Sequence, residues 1–373
     1  MGARAARGRI GANCLLGFWE VGHTLRVADS AEKIPLRVAV IGVGALGQHH
    51  ARIYGELARE GGVELTGIFD ANLEQARRIA SEIGTSVHES IDAAIAASDA
   101  LSVVTPTTTH FEIAGKLLRA GRHVLVEKPM TDTSEHATAL VALAHEQGRV
   151  LQVGHVERFN PVLSYLEKAA PEPRFIETHR LSSYPKRSTD IGVVLDLMIH
   201  DLDVVLAFVK SPVVSVDAVG VPVLSRSEDI ANARLRFANG CVANVTVSRV
   251  SPERLRKIRV FSGGESPSYI SLDYQAQEGF LYRLGSDEEK ESSLLKKLFL
   301  AKDSAIVSEF AGKKIVREPV PIEKEQPLKL ELKHFVECVK KRLTPIVSGA
   351  SAKVALDLAF EITEQIRALD GKK

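Results

Sequence analysis

Apolar residues follow two different rhythms along this chain. From Leu36 to about residue 157, short unbroken apolar runs (LRVAVIGVG, VELTGIFD, ALSVVTP, HVLVEKP, RVLQVGH) alternate with longer stretches whose apolar positions recur every three to four residues (LGQHHARIYGELARE, NLEQARRIASEIG, SIDAAIAAS, THFEIAGKLLRAG, SEHATALVALAHEQG). The unbroken runs predict strands covered on both faces of a parallel sheet, and the periodic stretches predict the helices that cover them. A short strand is also expected near Val87. Strand and helix in strict alternation require right-handed crossovers, hence a doubly wound α/β sheet over residues 36–157.

From Arg158 to about residue 345 the rhythm changes to period two: RFIETHRLSSY, SVDAVGVPVL, DIANARLRFANG, CVANVTVSRVS, LRKIRVFSGG and SYISLDYQ, with turns at Asn239-Gly240 and Gly263-Gly264. That alternation predicts an α+β domain with a large, mostly antiparallel sheet, open on one face. VVLDLMIHDLDVVLAFV reads as a helix covering the other face, and residues 346–373 as a C-terminal helix. An open sheet of this size is a liability unless a partner covers it. GSDEEKESSLLKKLFLAKDS (285–304) is charged and poorly patterned, so a mobile insertion is expected there. Residues 1–35 read as a disordered extension or an over-called start. Their apolar run, IGANCLLGFW, is interrupted by Gly11 and Asn13, lacks a cleavage pattern, and is too short to span a bilayer.

Charge and cysteine content narrow the function classes. Forty-eight basic residues balance 47 acidic ones, so no overall field favours nucleic acid or an anionic membrane, and any anionic partner must be met locally. The three cysteines, Cys14, Cys241 and Cys338, are far apart and form no CxxC or Cys/His cluster. Neither a disulfide framework nor a metal site is indicated, which suits a reducing cytoplasm.

The first chemistry-bearing motif sits at the first strand–helix turn. Gly42, Gly44 and Gly47, with Ala45 and Leu46 between them, form GxGxxG. Alone the pattern is weak; between a strand and a helix it is the dinucleotide fingerprint of a Rossmann domain. Asp70 ends the second strand, where a carboxylate accepts both ribose hydroxyls and repels a 2′-phosphate. NAD is therefore expected rather than NADP, although Asp70 would also serve as the cap of the next helix. Ligands of such sheets sit beyond the carboxyl ends of the strands. Two further polar clusters lie at strand ends, TPTTTH (Thr105 to His110) and Glu127-Lys128-Pro129. A buried strand that ends in a carboxylate and an ammonium needs those charges paired or in use, because burying each costs several kcal/mol.

VIGVGALGQHHARIY, TPTTTH, VLVEKP and GVVLDLMIHDLD, in that order, resemble the Gfo/Idh/MocA family of nicotinamide-dependent oxidoreductases. The likeness runs from about Leu36 to the C-terminus. GHVERFNP, RSTDIGVVLDLMIHDLD and SGASAKVALDLAFEI most resemble the family members that act on UDP-N-acetylhexosamines. The resemblance implies oxidation of a sugar's secondary alcohol, foremost C3 of UDP-N-acetylglucosamine. The 3-keto sugar would then be transaminated in lipid A precursor synthesis, with an aminotransferase as a pathway partner. It also implies a dimer or tetramer joined at the open sheet. It places Thr105, Pro106 and His110 along the cofactor pocket and Glu127 on the nicotinamide ribose. Another substrate (the corresponding uronate, an inositol or a free sugar) and a non-catalytic NAD-binding sensor are the alternatives.

Asp196 and His200 are four apart on the predicted helix, with Gly192 a turn before and Asp203 a turn after. A capped helix with a satisfied histidine explains that spacing as well; beyond a dinucleotide fold with EKP, a catalytic pair is the better account. Alcohol oxidation needs a base that works near pH 7, and imidazole suits that task. His200 is the expected base and Lys128 the group that polarises the hydroxyl, with their exchange left open. Asp196 is a candidate for the sugar hydroxyls and Asp203 for orienting the imidazole. Arg158 and Asn160 of ERFNP could reach cofactor or substrate, and Arg187 of YPKRSTD could grip the diphosphate. His49 and His50 are expected to serve helix packing.

Overall fold

The computed structural model describes residues 35–184, 191–264, 267–285, 305–310 and 313–370. The expected extension, Lys186, Arg187 and Ser188, and nearly all of the 285–304 stretch lie outside the described residues.

The first half folds as a parallel five-stranded sheet: β1 (Leu36–Ile41), β2 (Val63–Phe69), β3 (Ala100–Val103), β4 (His123–Glu127) and β5 (Leu151–Gly154), in the order β2-β1-β3-β4-β5. The expected strand near Val87 is a single bridge to Ile68. The order reverses between β1 and β3, and there the carboxyl ends of the strands leave a crevice. Helices α1 (Gly47–Glu60), α2 (Leu73–Ile83), α3 (Ile91–Ala97), α4 (His110–Arg119) and α5 (Ser134–Glu146) connect the strands. Asn72, Ser90 and Thr133 cap α2, α3 and α5 through their side chains. The cap of α2 is thus Asn72, which leaves the Asp70 carboxylate for other partners.

After α6 (Pro161–Ala169), the second half is built on one nine-stranded sheet: β6 (Pro173–Leu181), β7 (Val213–Val221), β8 (Ile230–Phe237), β9 (Val242–Ser248), β10 (Leu255–Ser262), β11 (Ser268–Asp273), β12 (Glu278–Leu284), β13 (Ala305–Phe310) and β14 (Lys313–Pro319). All neighbours are antiparallel except β6 and β9, which run parallel. The last three strands exceed the six that alternation suggested. EGFLYRL and KKIVREP alternate poorly because β12 and β14 are intermediate or exposed along most of their length.

Between β6 and β7 the chain makes a π-helical turn, Val194–Met198, that runs directly into α7 (Ile199–Val209). Gly192 packs so tightly on Glu228 that a Cβ would fall 1.8 Å from the carboxylate, and Glu228 accepts the Val194 N–H at 3.3 Å. Wide π turns concentrate at functional sites, and Asp196 lies inside this one. Two late helices bind the halves together. From α8 (Pro327–Lys341), Leu328, Leu332 and Phe335 enter the core that α1 makes with Val38, Val40 and Leu125. From α9 (Gly349–Asp370), Ala352, Leu356, Ala359 and Ile362 join a second core, which runs from Val124 and Leu140 to Val245 and Ile258 of the large sheet. The proposed division near residues 157 and 345 is therefore one of sheet type, since packing crosses it in both directions. Among the described residues no helix is long and apolar enough to cross a membrane.

Candidate functional site

Every cluster expected at a strand end lies along the carboxyl edge of the first sheet, and the glycine turn explains itself by space. Gly42 has φ +85°, and a Cβ there would sit 2.5 Å from the Val104 carbonyl oxygen. A Cβ on Gly47 would sit 1.9 Å from the Gly42 carbonyl oxygen. These two glycines are needed to make the turn. A Cβ on Gly44 would meet nothing within 4 Å, so at this position alone the backbone is bared to open space. Leu46 precedes α1 without a side-chain cap, so no side chain covers the positive end of the helix. Asp70 accepts the Val43 N–H at 2.8 Å and the Asn72 N–H at 2.8 Å, which holds its carboxylate beside the turn. A bared glycine, an uncapped helix N-terminus and a fixed carboxylate are what a dinucleotide's diphosphate and ribose require, so the residues present fit NAD.

Thr105 accepts a hydrogen bond from the Thr109 hydroxyl at 2.8 Å, and Pro106 is exposed on the same turn. His110, expected to line the cofactor pocket, is 1% exposed. Its ring spans the carbonyl oxygens of Pro129 and Thr105, each at 2.9 Å. A neutral ring carries one N–H, so it donates to one of these two oxygens. Burial keeps its pKa below the ordinary histidine value.

At the end of β4 the two charges divide. Glu127 turns inward: Oε1 lies 3.1 Å from His50 Nε2, and a Cβ on Gly154 would strike the carboxylate. The carboxylate expected on the ribose is instead paired with a fully buried histidine, because an almost buried carboxylate needs a partner. Lys128 turns outward, and its ammonium donates to Asp196 twice, to the main-chain oxygen at 2.7 Å and to Oδ1 at 3.2 Å. Strand end and π turn, 68 residues apart, are thus joined in one site.

His200 is half-buried one helical turn beyond Asp196. Burial, then Lys128 and Arg180, hold its pKa well below the ordinary value, so the ring is neutral near pH 7. Asp203 does not orient it. Both Asp203 oxygens lie 3.4 Å from Arg158 Nη1, so Asp203 and Arg158 hold each other. Asn160 is also withdrawn from a substrate role. It is buried, accepts the Val162 N–H as the cap of α6, and donates to the Tyr274 carbonyl at 3.0 Å.

Several residues that matter here carry no local sequence signal. Arg180 on β6 is buried and grips Asp201 through two bonds, 2.8 and 3.0 Å, and Glu157 through one of 3.0 Å. Although burial works against the guanidinium charge, the two carboxylates more than offset that and raise its pKa. His155 follows β5 directly and meets His200 edge to face, ring centroids 6.0 Å apart. The strand-end rule that picked out the other clusters applies equally to His155. Glu331 on α8 is fully buried with neither carboxyl oxygen hydrogen-bonded; burial, then Glu127 and Asp203, raise its pKa well above the ordinary carboxylate value. Among the described residues no group of His, Cys, Asp and Glu is arranged to hold a metal ion.

Comparison with known proteins agrees with this geometry. Residues 36–155 match the model of an oxidoreductase family with an NAD-binding Rossmann fold, and residues 165–264 match the GFO/IDH/MocA C-terminal domain. UDP-N-acetylglucosamine 3-dehydrogenase of Acidithiobacillus ferrooxidans is 34% identical over 90% of this chain and 98% of its own. The chain belongs to the Gfo/Idh/MocA family. The solved structure of that Acidithiobacillus dehydrogenase superposes with a TM-score of 0.79 over the same shares of the two chains. Among other Gfo/Idh/MocA relatives, the NAD-dependent scyllo-inositol 2-dehydrogenase of Bacillus subtilis is 26% identical over 89% of this chain and 94% of its own. A levoglucosan dehydrogenase solved with NADH and levoglucosan, 18% identical over 90% of this chain and 98% of its own with a TM-score of 0.74, shares the fold. The chain is accordingly an NAD-dependent dehydrogenase acting on CH–OH groups, of the sugar dehydrogenase class.

Proposed function

We propose that this enzyme oxidises C3 of UDP-N-acetylglucosamine to the 3-keto sugar, in the cytoplasm, for later transamination in lipid A precursor synthesis. The observation that carries the chemistry is the Lys128–Asp196 contact with a neutral His200 one turn away. The full-length similarity to the Acidithiobacillus enzyme supports the substrate. In this mechanism Lys128 polarises the C3 hydroxyl and stabilises the developing alkoxide. His200 accepts the hydroxyl proton, and Asp196 holds Lys128 in place while meeting the sugar hydroxyls. NAD, when bound, supplies the acceptor for the hydride. Gly42, Gly44, Ala45, Leu46 and Gly47 form its diphosphate cradle, Asp70 takes the adenosine ribose, and Thr105 and Pro106 border the cofactor. Arg187, outside the described residues, is assigned to the substrate diphosphate. A homodimer or homotetramer through the open sheet, and a pathway aminotransferase, complete the proposal.

A panel of UDP-sugars, free sugars and inositols incubated with enzyme and NAD tests this by absorbance of NADH. UDP-N-acetylglucosamine should give the highest kcat/KM, with a 3-keto product by mass and NMR. A higher kcat/KM for an inositol would favour the second reading, which the Bacillus relative supports.

A further inference from the structure

The π turn that carries Asp196 begins with a deficit. A helix opens on main-chain N–H groups that have no partner within it, and the side chain of the residue before this turn, Val193, supplies no cap. The partners come from Glu228, 34 residues beyond Val194 in the chain. Its main-chain oxygen accepts the Val193 N–H at 3.1 Å, and its Oε1 accepts the Val194 N–H at 3.3 Å. Gly192 lies against the same carboxylate with no room for a Cβ between them. The Gly192 carbonyl in turn accepts the Asp196 N–H at 3.1 Å, and Asp196 receives the Lys128 ammonium on its main-chain oxygen and Oδ1. Each link from Glu228 to Lys128 is thus a hydrogen bond or a packing contact.

Glu228 is fixed by its neighbours. Asp229, just before β8, and Arg249, just after β9, are 0% and 1% exposed and pair through Arg249 Nε and Asp229 Oδ1 at 2.7 Å. The other Asp229 oxygen accepts the N–H groups of Val223, Leu224 and Ser225 at 2.8, 2.6 and 2.8 Å. Arg249 Nη2 donates to the hydroxyls of Ser225 and Ser227. Arg249 Nη1 donates to the Ile191 carbonyl oxygen at 2.7 Å. Desolvation offsets much of the attraction in a pair buried this deeply, so stability alone does not account for it. Its placement does: Ile191, Val193 and Val194, immediately before Asp196, are each bonded to Arg249 or Glu228.

We propose that Glu228, fixed by the Asp229–Arg249 pair, is a positioning residue for the reaction: it holds the start of the π turn and so places Asp196 against Lys128. The inference rests on the Lys128–Asp196 contact belonging to the active site. Glu228 acts through the main chain of the turn rather than on the substrate. It serves as a helix cap supplied from another element, where a side chain of the turn's own would ordinarily stand. A lysine's flexible stem lets its ammonium follow whatever acceptor is offered. The position of Lys128 at the reacting hydroxyl is therefore only as exact as the position of Asp196.

The test separates positioning from folding. Glu228→Ala removes the acceptor of the Val194 N–H. Assayed on the best substrate of the panel and scaled to folded enzyme, its kcat should fall about tenfold with NAD affinity unchanged. Glu228→Gln keeps an acceptor oxygen of the same reach and should retain about half or more of the wild-type kcat. In a Lys128→Ala background, Glu228→Ala should cost less than about threefold more, because the contact it serves is already gone. A wild-type kcat in Glu228→Ala, an equal loss in Glu228→Gln, or the whole loss repeated on Lys128→Ala would overturn the assignment. Gly192→Ala carries the test if Glu228→Ala does not fold. Its Cβ must displace the carboxylate, so the same loss is expected, and normal turnover would overturn the proposal. A second readout needs no turnover. Amide exchange of Val193, Val194 and Asp196 should quicken about tenfold in Glu228→Ala and keep its wild-type rate in Glu228→Gln. Unchanged exchange in Glu228→Ala would overturn the proposal. Wild-type silence on every substrate would count against the proposed function alone, and exchange would still decide whether Glu228 holds the turn.

Discussion

The two ends of the site are made in opposite ways. At the glycine turn the working groups belong to the main chain, and side chains matter mostly by their absence: Gly42 and Gly47 allow the turn and Gly44 bares it. At the Lys128–Asp196 end the groups that meet are charged side chains, and further charges pair within the buried interior. Arg180 of β6, Asp201 of α7 and Glu157 of the turn after β5 form one such cluster. A main-chain site needs small residues at fixed spacing in one short segment. A site of buried charges needs partners for each charge, and the fold draws those from wherever the chain passes.

The sharpest contrast is in activity. Lys128→Ala and His200→Ala should each lower kcat by about 10²- to 10⁴-fold with NAD binding retained, measured by NADH formation beside a binding titration. Comparable turnover in both variants would remove the chemical end from the mechanism. Next comes stability. Arg180→Met leaves Asp201 and Glu157 buried without their partner and should cost about 3–5 kcal/mol, read from urea unfolding. The glycine turn should behave differently within itself. Gly47→Ala should lower the melting temperature and abolish NAD binding, because the new Cβ collides with the Gly42 carbonyl. Gly44→Ala should leave the melting temperature unchanged and weaken NAD by about tenfold, roughly 1.4 kcal/mol. Equal effects at the two positions would refute the distinction between making the turn and baring it.

The smallest expected effect is a slope in pH. Burial lowers the pKa of His123 from 6.5 to about 4, and burial also lowers those of His88, His110, His155 and His179. The unfolded chain then binds more protons than the folded one over that interval. Stability is complete above about pH 6.5 and should decline as pH falls towards 4, visible as a falling melting temperature. A flat profile over that interval would show these rings to be open to protonation in the fold.

How much of this was legible beforehand follows from the same contrast. The alternation of buried runs and periodic stretches marked all five strands of the first sheet, and GxGxxG marked the crevice, since each signal lies within one strand–turn–helix segment. Six strands of the large sheet, the run from β11 to the edge strand β7, were marked by period two, whereas β12 and β14, which bury little on either face, were not. Single-residue roles fared unevenly. Lys128 and Asp196 meet, with His200 one helical turn further on, while Asp203, Asn160 and His110 have Arg158, a helix cap and carbonyl oxygens as neighbours. For a polar residue near a site, type and spacing leave several partners open, and packing selects among them.

Two layers of this protein are therefore separable. Periodicity, glycine spacing and strand-end residues were enough to specify an α/β half with a dinucleotide crevice and an α+β half. Those properties depend on backbone geometry and on burial of a face, and both are local. Which charges pair is different. His50 with Glu127, and Arg180 with Asp201 and Glu157, are meetings across 77, 21 and 23 residues. Nothing in one segment specifies them. They exist because a charge removed from water must find a partner, and only the folded chain brings that partner within reach.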